Sequence, residues 1–168
     1  LGDKQVTLLD TPGHVDFSAE MERTLQVLDY AILVVSGADG VQGHTRTLWN
    51  LLARYQVPTF IFINKMDQDG TDRQDRLTEL KRKLSGECVD FTEAGEEFLE
   101  ELSMCDETVM ESYLENGEIT ASQIQTLIRE RKVFPCYFGS ALKLEGVQEL
   151  LDGLGKYMDG PVSGTHAE

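Results

Sequence analysis

Tyr30-Ala31-Ile32-Leu33-Val34-Val35 is an unbroken apolar run without polar alternation. A strand with one wet face alternates, so this run reads as a central strand of a parallel sheet, covered on both faces. Gly37, Asp39, Gly40 and Gly43 break it. Helical spacing resumes from Thr47 to Tyr55, with Leu48, Leu51 and Leu52 inward and Trp49 packed at the domain surface. After Pro58, Thr59-Phe60-Ile61-Phe62-Ile63 is a second buried strand. Upstream, Gln5-Val6-Thr7-Leu8-Leu9 is a short strand, and Met21, Leu25 and Leu28 at i, i+4 and i+7 form one helical stripe, entered through Asp16 or Ser18 as cap. Strand, helix, strand, helix, strand predicts a doubly wound α/β fold, a mostly parallel Rossmann-like sheet with flanking helices. Val133-Phe134-Pro135-Cys136-Tyr137-Phe138 adds one more strand, at an edge position because Pro135 cannot donate to a ladder.

The 168 residues suit one domain with an ordinary core, since 40% are hydrophobic. A net charge of −15 argues against a nucleic-acid footprint spread over the surface, so no DNA partner is expected and any RNA contact is local. No apolar run approaches a membrane span and no basic-then-apolar leader precedes the first strand, so no membrane partner and a cytoplasmic location are expected. Cys88, Cys105 and Cys136 are odd in number and far apart, which suggests neither a disulfide framework nor a metal pair. Cys136 reads as core, and His44 and His166 as solvated.

Composition changes between the strand that ends at Ile63 and the one that begins at Val133. Leu77, Leu80 and Leu84 mark an amphipathic helix, and from Gly86 through Glu118 there are twelve acidic residues and no Lys or Arg. Phe98 with Leu102, Val109 with Tyr113 and Met110 with Leu114 keep i, i+4 spacing, so an acidic helical insert over about residues 86–131 is expected, flanking the main sheet or covering it as a lid. Thr120-Ala121-Ser122-Gln123 is a capping box for a further helix through Ile124, Leu127 and Ile128. This acidic face reads either as a solvated helical surface or as a dock for a basic protein. Val147, Leu150, Leu151 and Leu154 give the closing helix, so one domain over 1–158 is expected, with a linker or tail over 159–168.

Three polar stretches each follow a predicted strand. In Asp10-Thr11-Pro12-Gly13-His14, a carboxylate at the strand's carboxyl end can hold Mg²⁺ through a water, and Gly13 lets its N–H approach a phosphate oxygen closely. An aspartate opening an ordinary turn is the plainer reading of that stretch alone. In Asn64-Lys65-Met66-Asp67, a carboxylate at Asp67 can accept two parallel hydrogen bonds from guanine N1–H and its 2-amino group, a pair that adenine lacks. Lys65 can lay its stem over the base, and the Asn64 amide can bond the base edge or tie neighbouring loops together. In Gly139-Ser140-Ala141-Leu142-Lys143, Ser140 can brace a base-supporting loop, and small Ala141 lets its N–H reach the guanine carbonyl oxygen. Their order along the chain is what gives the three their weight.

With these residues in place, the chain resembles the GTP-binding domain of the translational GTPases. Asp10–His14 with Val15-Asp16-Phe17, Gly40-Val41-Gln42, Asn64–Asp67 and Gly139–Lys143 are similar to elongation factor G and its relatives. Asn64–Asp67 with the continuation Gln68-Asp69-Gly70-Thr71-Asp72 most resembles the tetracycline-resistance ribosomal protection proteins, and the short connection between the second and third stretches favours them over elongation factor G. The resemblance implies a GTPase that binds GTP or GDP with Mg²⁺ and works on the ribosome. It implies a γ-phosphate-sensing switch at Asp10, Thr11, Pro12 and Gly13, with His14 positioning the attacking water. It assigns the guanine to Asn64, Lys65, Asp67, Ser140, Ala141 and Leu142. A non-catalytic guanine-nucleotide-binding module is the alternative, and a release-factor-like GTPase is a further relative.

No Gly-x-x-x-x-Gly-Lys-[Ser/Thr] occurs in these residues. The family carries that phosphate loop on its first strand, so a truncated P-loop GTPase domain is expected, with its first strands missing and neither tight GTP binding nor hydrolysis from these residues alone. In the family, the missing strand lies between the one ending at Asp10 and the one ending near Val35. A gap flanked by unpaired backbone groups is therefore expected there, relieved by closure of the two strands on each other, by a second copy pairing at the edge, or by detachment of the first strand. Association through that edge, as a dimer, is the expected outcome of the three.

Overall fold

The structure, a computed structural model, describes residues 6–10, 19–67, 70–92 and 95–158. Five parallel strands form one sheet in the order β1-β2-β3-β5-β4: β1 (Val6–Asp10), β2 (Tyr30–Ser36), β3 (Thr59–Asn64), β4 (Cys88–Asp90) and β5 (Phe134–Phe138). Seven helices accompany them among the described residues: α1 (Ala19–Gln26), α2 (Gly43–Arg54), α3 (Arg73–Lys83), α4 (Glu96–Ser103), α5 (Glu107–Asn116), α6 (Ala121–Arg129) and α7 (Val147–Tyr157).

Alternation along the strands sorts the core into two layers. Leu33, Val35, Ile61, Ile63 and Cys136 pack towards Leu25 of α1, Leu48 and Leu52 of α2 and Leu80 of α3. Ile32, Phe60, Phe62 and Tyr137 pack on the other side with Leu102 of α4, Val109 of α5, Ile128 of α6 and Leu154 of α7. Because both faces of β2 and β3 are covered, their sequences read as continuous apolar runs. The doubly wound expectation is met. Trp49 packs edge-on against Phe134, with ring centroids 4.7 Å apart. His44, expected to be solvated, is half-buried in the first turn of α2.

Two expectations are corrected. Pro135 is not on an edge strand, because β5 pairs with both β3 and β4. On the β4 side its neighbours carry the bonds, Phe134 N–H to Glu87 C=O and Phe91 N–H to Cys136 C=O, both 3.0 Å. The β3 ladder starts one residue later, at Cys136, so the proline interrupts neither. The true edge is β4, three residues inside the acidic segment that periodicity could not reveal. The expected gap beside β1 is also absent. β1 pairs directly with β2 over five positions, from Val6↔Tyr30 to Asp10↔Val34, so closure of the flanking strands replaces the reason given for association there. Leu8 of β1 stays 58% exposed.

The acidic segment flanks the sheet. Asp106 caps α5 by accepting from the Thr108 and Val109 N–H groups, and the capping box at Thr120 opens α6 as predicted. Cations from outside the stretch fasten it: Arg73 to Asp90 (3.2 Å), Lys81 to Glu101 (3.3 Å) and Lys132 to Asp106. Surface pairs of this kind stabilise little, so the apolar contacts of Leu102 and Val109 hold the segment down.

Helix α7 seats on β5 through Gly153, where a β-carbon would lie 2.6 Å from the Tyr137 ring carbon that bears the hydroxyl. Gly153→Ala is expected to cost about 1–3 kcal/mol by overpacking. Urea unfolding measures this, and an unchanged midpoint would show that α7 can shift without loss.

Candidate functional site: two loops at the carboxyl edge of the sheet

In open α/β sheets the space beyond the carboxyl ends of the strands is where ligands bind, and two of the three singled-out stretches meet there. Asn64 ends β3, and its Oδ1 accepts a hydrogen bond from the Ala141 N–H at 2.8 Å, across 77 positions of sequence. The loops are joined again below that contact by Gly139 N–H to Ile63 C=O and Met66 N–H to Gly139 C=O, both 3.0 Å. Of the two roles open to Asn64, tying neighbouring loops is the one this geometry displays. It also engages the Ala141 donor, so a base carbonyl reaching that N–H must share it with Asn64 or displace Asn64.

Lys65 lies in the left-handed region at φ 62°, which costs a non-glycine residue roughly 1–3 kcal/mol and persists only where neighbours enforce it. They do so here. Besides the Met66 bond, Thr71 Oγ1 donates to Met66 C=O at 3.0 Å and Gly37 N–H donates to Asn64 C=O at 2.6 Å. The strained turn exposes Lys65 and swings Asp67 back towards β5.

Asp67 belongs to an exposed turn, yet its side chain keeps only 19% exposure. The Ser140 hydroxyl donates to its carboxylate, and that bond is the main reason its pKa lies below the ordinary value of 3.8; Lys143, with Nζ 3.7 Å from Oδ2, adds to the effect. Ser140 is itself 1% exposed. Its peptide group exchanges two bonds with Glu145, at 2.8 and 2.9 Å, and its Oγ accepts from Lys143 N–H at 3.3 Å. A carboxylate so held stays ionised and pre-aimed, with acceptor capacity left for donors in a fixed direction. Leu142 stands 90% exposed at the rim. The pairing of Lys143 with Asp67 was not anticipated, and nothing in the sequence beyond its place in the Gly139–Lys143 stretch signals it.

The remaining stretch is reached only at its start. The backbone of Asp10 ends β1 opposite Val34, on the same sheet edge as Asn64. Thr11, Pro12, Gly13 and His14 lie outside the described residues, so the phosphate switch has no geometry to set beside the two loops. No cluster of metal-binding side chains occurs among the described residues. A hollow of about 540 Å³, lined by Met66, Thr71, Asp72 and Arg73, backs the loops but does not include Asn64, Asp67 or Ala141. Asn64, Asp67 and Ala141 therefore stand outside that hollow, at an open rim. No helix among the described residues is long and apolar enough to cross a membrane.

Comparison with known proteins converges on this architecture. The family model described as the elongation factor Tu GTP binding domain matches residues 2–159. A crystal structure from Thermus thermophilus superposes with a TM-score of 0.75 at 22% identity, over 90% of this chain and 30% of that one. At that identity the likeness establishes the α/β fold alone, and the chain spans about 30% of the length of the structure it matches.

Ser140→Ala is expected to move the Asp67 titration midpoint up towards 3.8, because it removes the largest of the contacts that favour the charged form. Carboxyl-detected NMR across acidic pH reads this directly. A midpoint that stays in place would take Ser140 out of the site's electrostatics.

Proposed function

The chain belongs to the elongation factor Tu GTP-binding domain family, and from that premise we propose that it is the guanine-reading part of the GTP-binding domain of a ribosome-associated translational GTPase. The observation that supports this most is the bond between Asn64 and the Ala141 N–H, which brings a base-reading turn and a base-supporting loop into one rim. On this reading Asp67 accepts from guanine N1–H and the 2-amino group, the Lys65 stem lies along the base, and Ser140, Ala141 and Leu142 form its other wall.

In the proposed reaction a water oxygen bonds to the γ-phosphorus as the bond from that phosphorus to the β–γ bridging oxygen breaks. His14 would orient the water, Asp10 to Gly13 would sense the γ-phosphate, and Asp10 would help hold a Mg²⁺ that neutralises charge on the phosphates. The phosphate loop is assigned to a part of the protein outside these residues, and hydrolysis to the whole protein. A tetracycline-resistance ribosomal protection protein is the specific identity we favour, on the Gln68–Asp72 continuation and the short connection between β3 and β5.

In the full-length protein, Asp67→Asn is expected to weaken GDP binding by roughly 1–3 kcal/mol, about 5- to 150-fold, and to favour xanthosine diphosphate, whose 2-oxo group suits an amide donor. Competition binding with the two nucleotides decides it, and an unchanged GDP affinity removes Asp67 from the base site. Separately, His14→Ala is expected to leave GTP affinity nearly intact and to lower ribosome-stimulated turnover by about 10²–10⁴-fold. Single-turnover kinetics with and without ribosomes measure this. Unchanged turnover with reduced stability would make His14 a helix-capping residue instead.

A further inference from the structure

The loop that follows β2 runs between the base-reading turn and helix α3, and it is tied to both. The Gly37 N–H donates to Asn64 C=O at 2.6 Å, while the Gly37 carbonyl accepts two bonds from one guanidinium, Arg76 Nη2 at 2.8 Å and Nε at 3.1 Å. Arg76 is fixed in turn by Glu79, whose carboxylate also accepts from Lys83 Nζ at 3.1 Å and from the Val41 N–H at 3.3 Å. Arg76 and Glu79 side chains are only 19% and 13% exposed. Burial alone raises the Glu79 pKa, but the bonds from Arg76, Lys83 and Val41 outweigh it and keep the group ionised.

Space is as tight as the bonding. A β-carbon on Gly37 would lie 2.5 Å from Met66 Sδ and 2.8 Å from Asn64 O, and one on Gly40, at φ +77°, would run into Arg76 Nη1 and lie 2.6 Å from Glu79 Oε1. Ser36 Oγ braces the segment between them by accepting from the Ala38 and Asp39 N–H groups at 3.2 and 3.1 Å. Residues 37–40 are therefore a rigid wedge rather than a slack connection. A planar fork that donates twice to one carbonyl fixes direction as well as distance, which a point charge does not.

Building on the guanine reading proposed above, we propose that Arg76 is a positioning residue for base recognition: it holds the Gly37 peptide, which holds Asn64 and thereby the Lys65–Asp67 turn. Arg76 touches no base. Its effect falls on selectivity for the 2-amino group, because that selectivity depends on where Asp67 is aimed.

The test uses the full-length protein and the nucleotides GDP and IDP, which differ only in the 2-amino group. Arg76→Met is expected to lower the GDP-over-IDP preference by about tenfold, the size of a coupling carried through a chain of contacts. Arg76→Lys, with a single donor nitrogen in place of the fork, is expected to recover part of it. Glu79→Gln, which keeps the shape but frees the guanidinium, is expected to lower the preference too and serves if Arg76→Met does not fold. A lowered thermal midpoint with an unchanged GDP-to-IDP ratio, in whichever of these variants folds, would make the network structural only and overturn the proposal. Asp67→Asn run in parallel separates the two layers. If it abolishes the preference while Arg76→Met keeps it, only this inference fails; if Asp67→Asn also keeps it, the guanine reading fails and the inference falls with it.

Discussion

A single side-chain amide joins the halves of the candidate site. Asn64 Oδ1 and the Ala141 N–H, 2.8 Å apart, connect the carboxyl end of β3 to the loop after β5. The acidic flank and all of α3 to α6 lie between them in sequence. Two strands that pair only through Ile61–Ile63 and Cys136–Phe138 would leave their following loops free to diverge. With the amide in place, the left-handed Lys65, the Ser140-bound Asp67 and the wedge at Gly37 all have a fixed reference. The sheet provides the platform, and this bond sets the spacing of what stands on it.

That arrangement explains how one strained turn and a set of loop-to-loop hydrogen bonds meet at the carboxyl edge. Lys65 is held in an unfavourable backbone region by bonds from both neighbouring loops. A carboxylate is kept charged by a buried serine rather than by an exposed arginine, so it keeps acceptor capacity for a ligand. The amino end of the sheet has left-handed residues too, Gln56 and Arg131, and there Arg131 lies over the Trp49 and Phe134 rings, which pack edge-on.

Much of this was legible in the sequence, for identifiable reasons. Unbroken runs such as Tyr30–Val35 announce double cover, and the Thr120 capping box announces a helix start, because each is a local consequence of local residues. The grouping of Asn64–Asp67 with Ser140–Leu142 followed from both stretches ending strands of one parallel sheet. What depends on strand order was not legible. β4 is three residues long inside an acidic stretch, and without it Pro135 reads as an edge residue. The direct pairing of β1 with β2 was one of three outcomes the sequence left open, since register between strands leaves no mark on either one alone. The Arg76–Glu79 pair looked like any i, i+3 surface pair, and only its distance to Gly37 sets it apart.

Whether this rim reads guanine, as proposed, is decided by a crystal structure of the full-length protein with GDP. Both Asp67 carboxylate oxygens are expected within hydrogen-bond distance of the guanine N1 and 2-amino nitrogens, with the base lying between Lys65 and the Ser140–Leu142 loop. A base bound elsewhere, or an Asp67 still bonded only to Ser140 and Lys143 while guanine sits in the site, would contradict it.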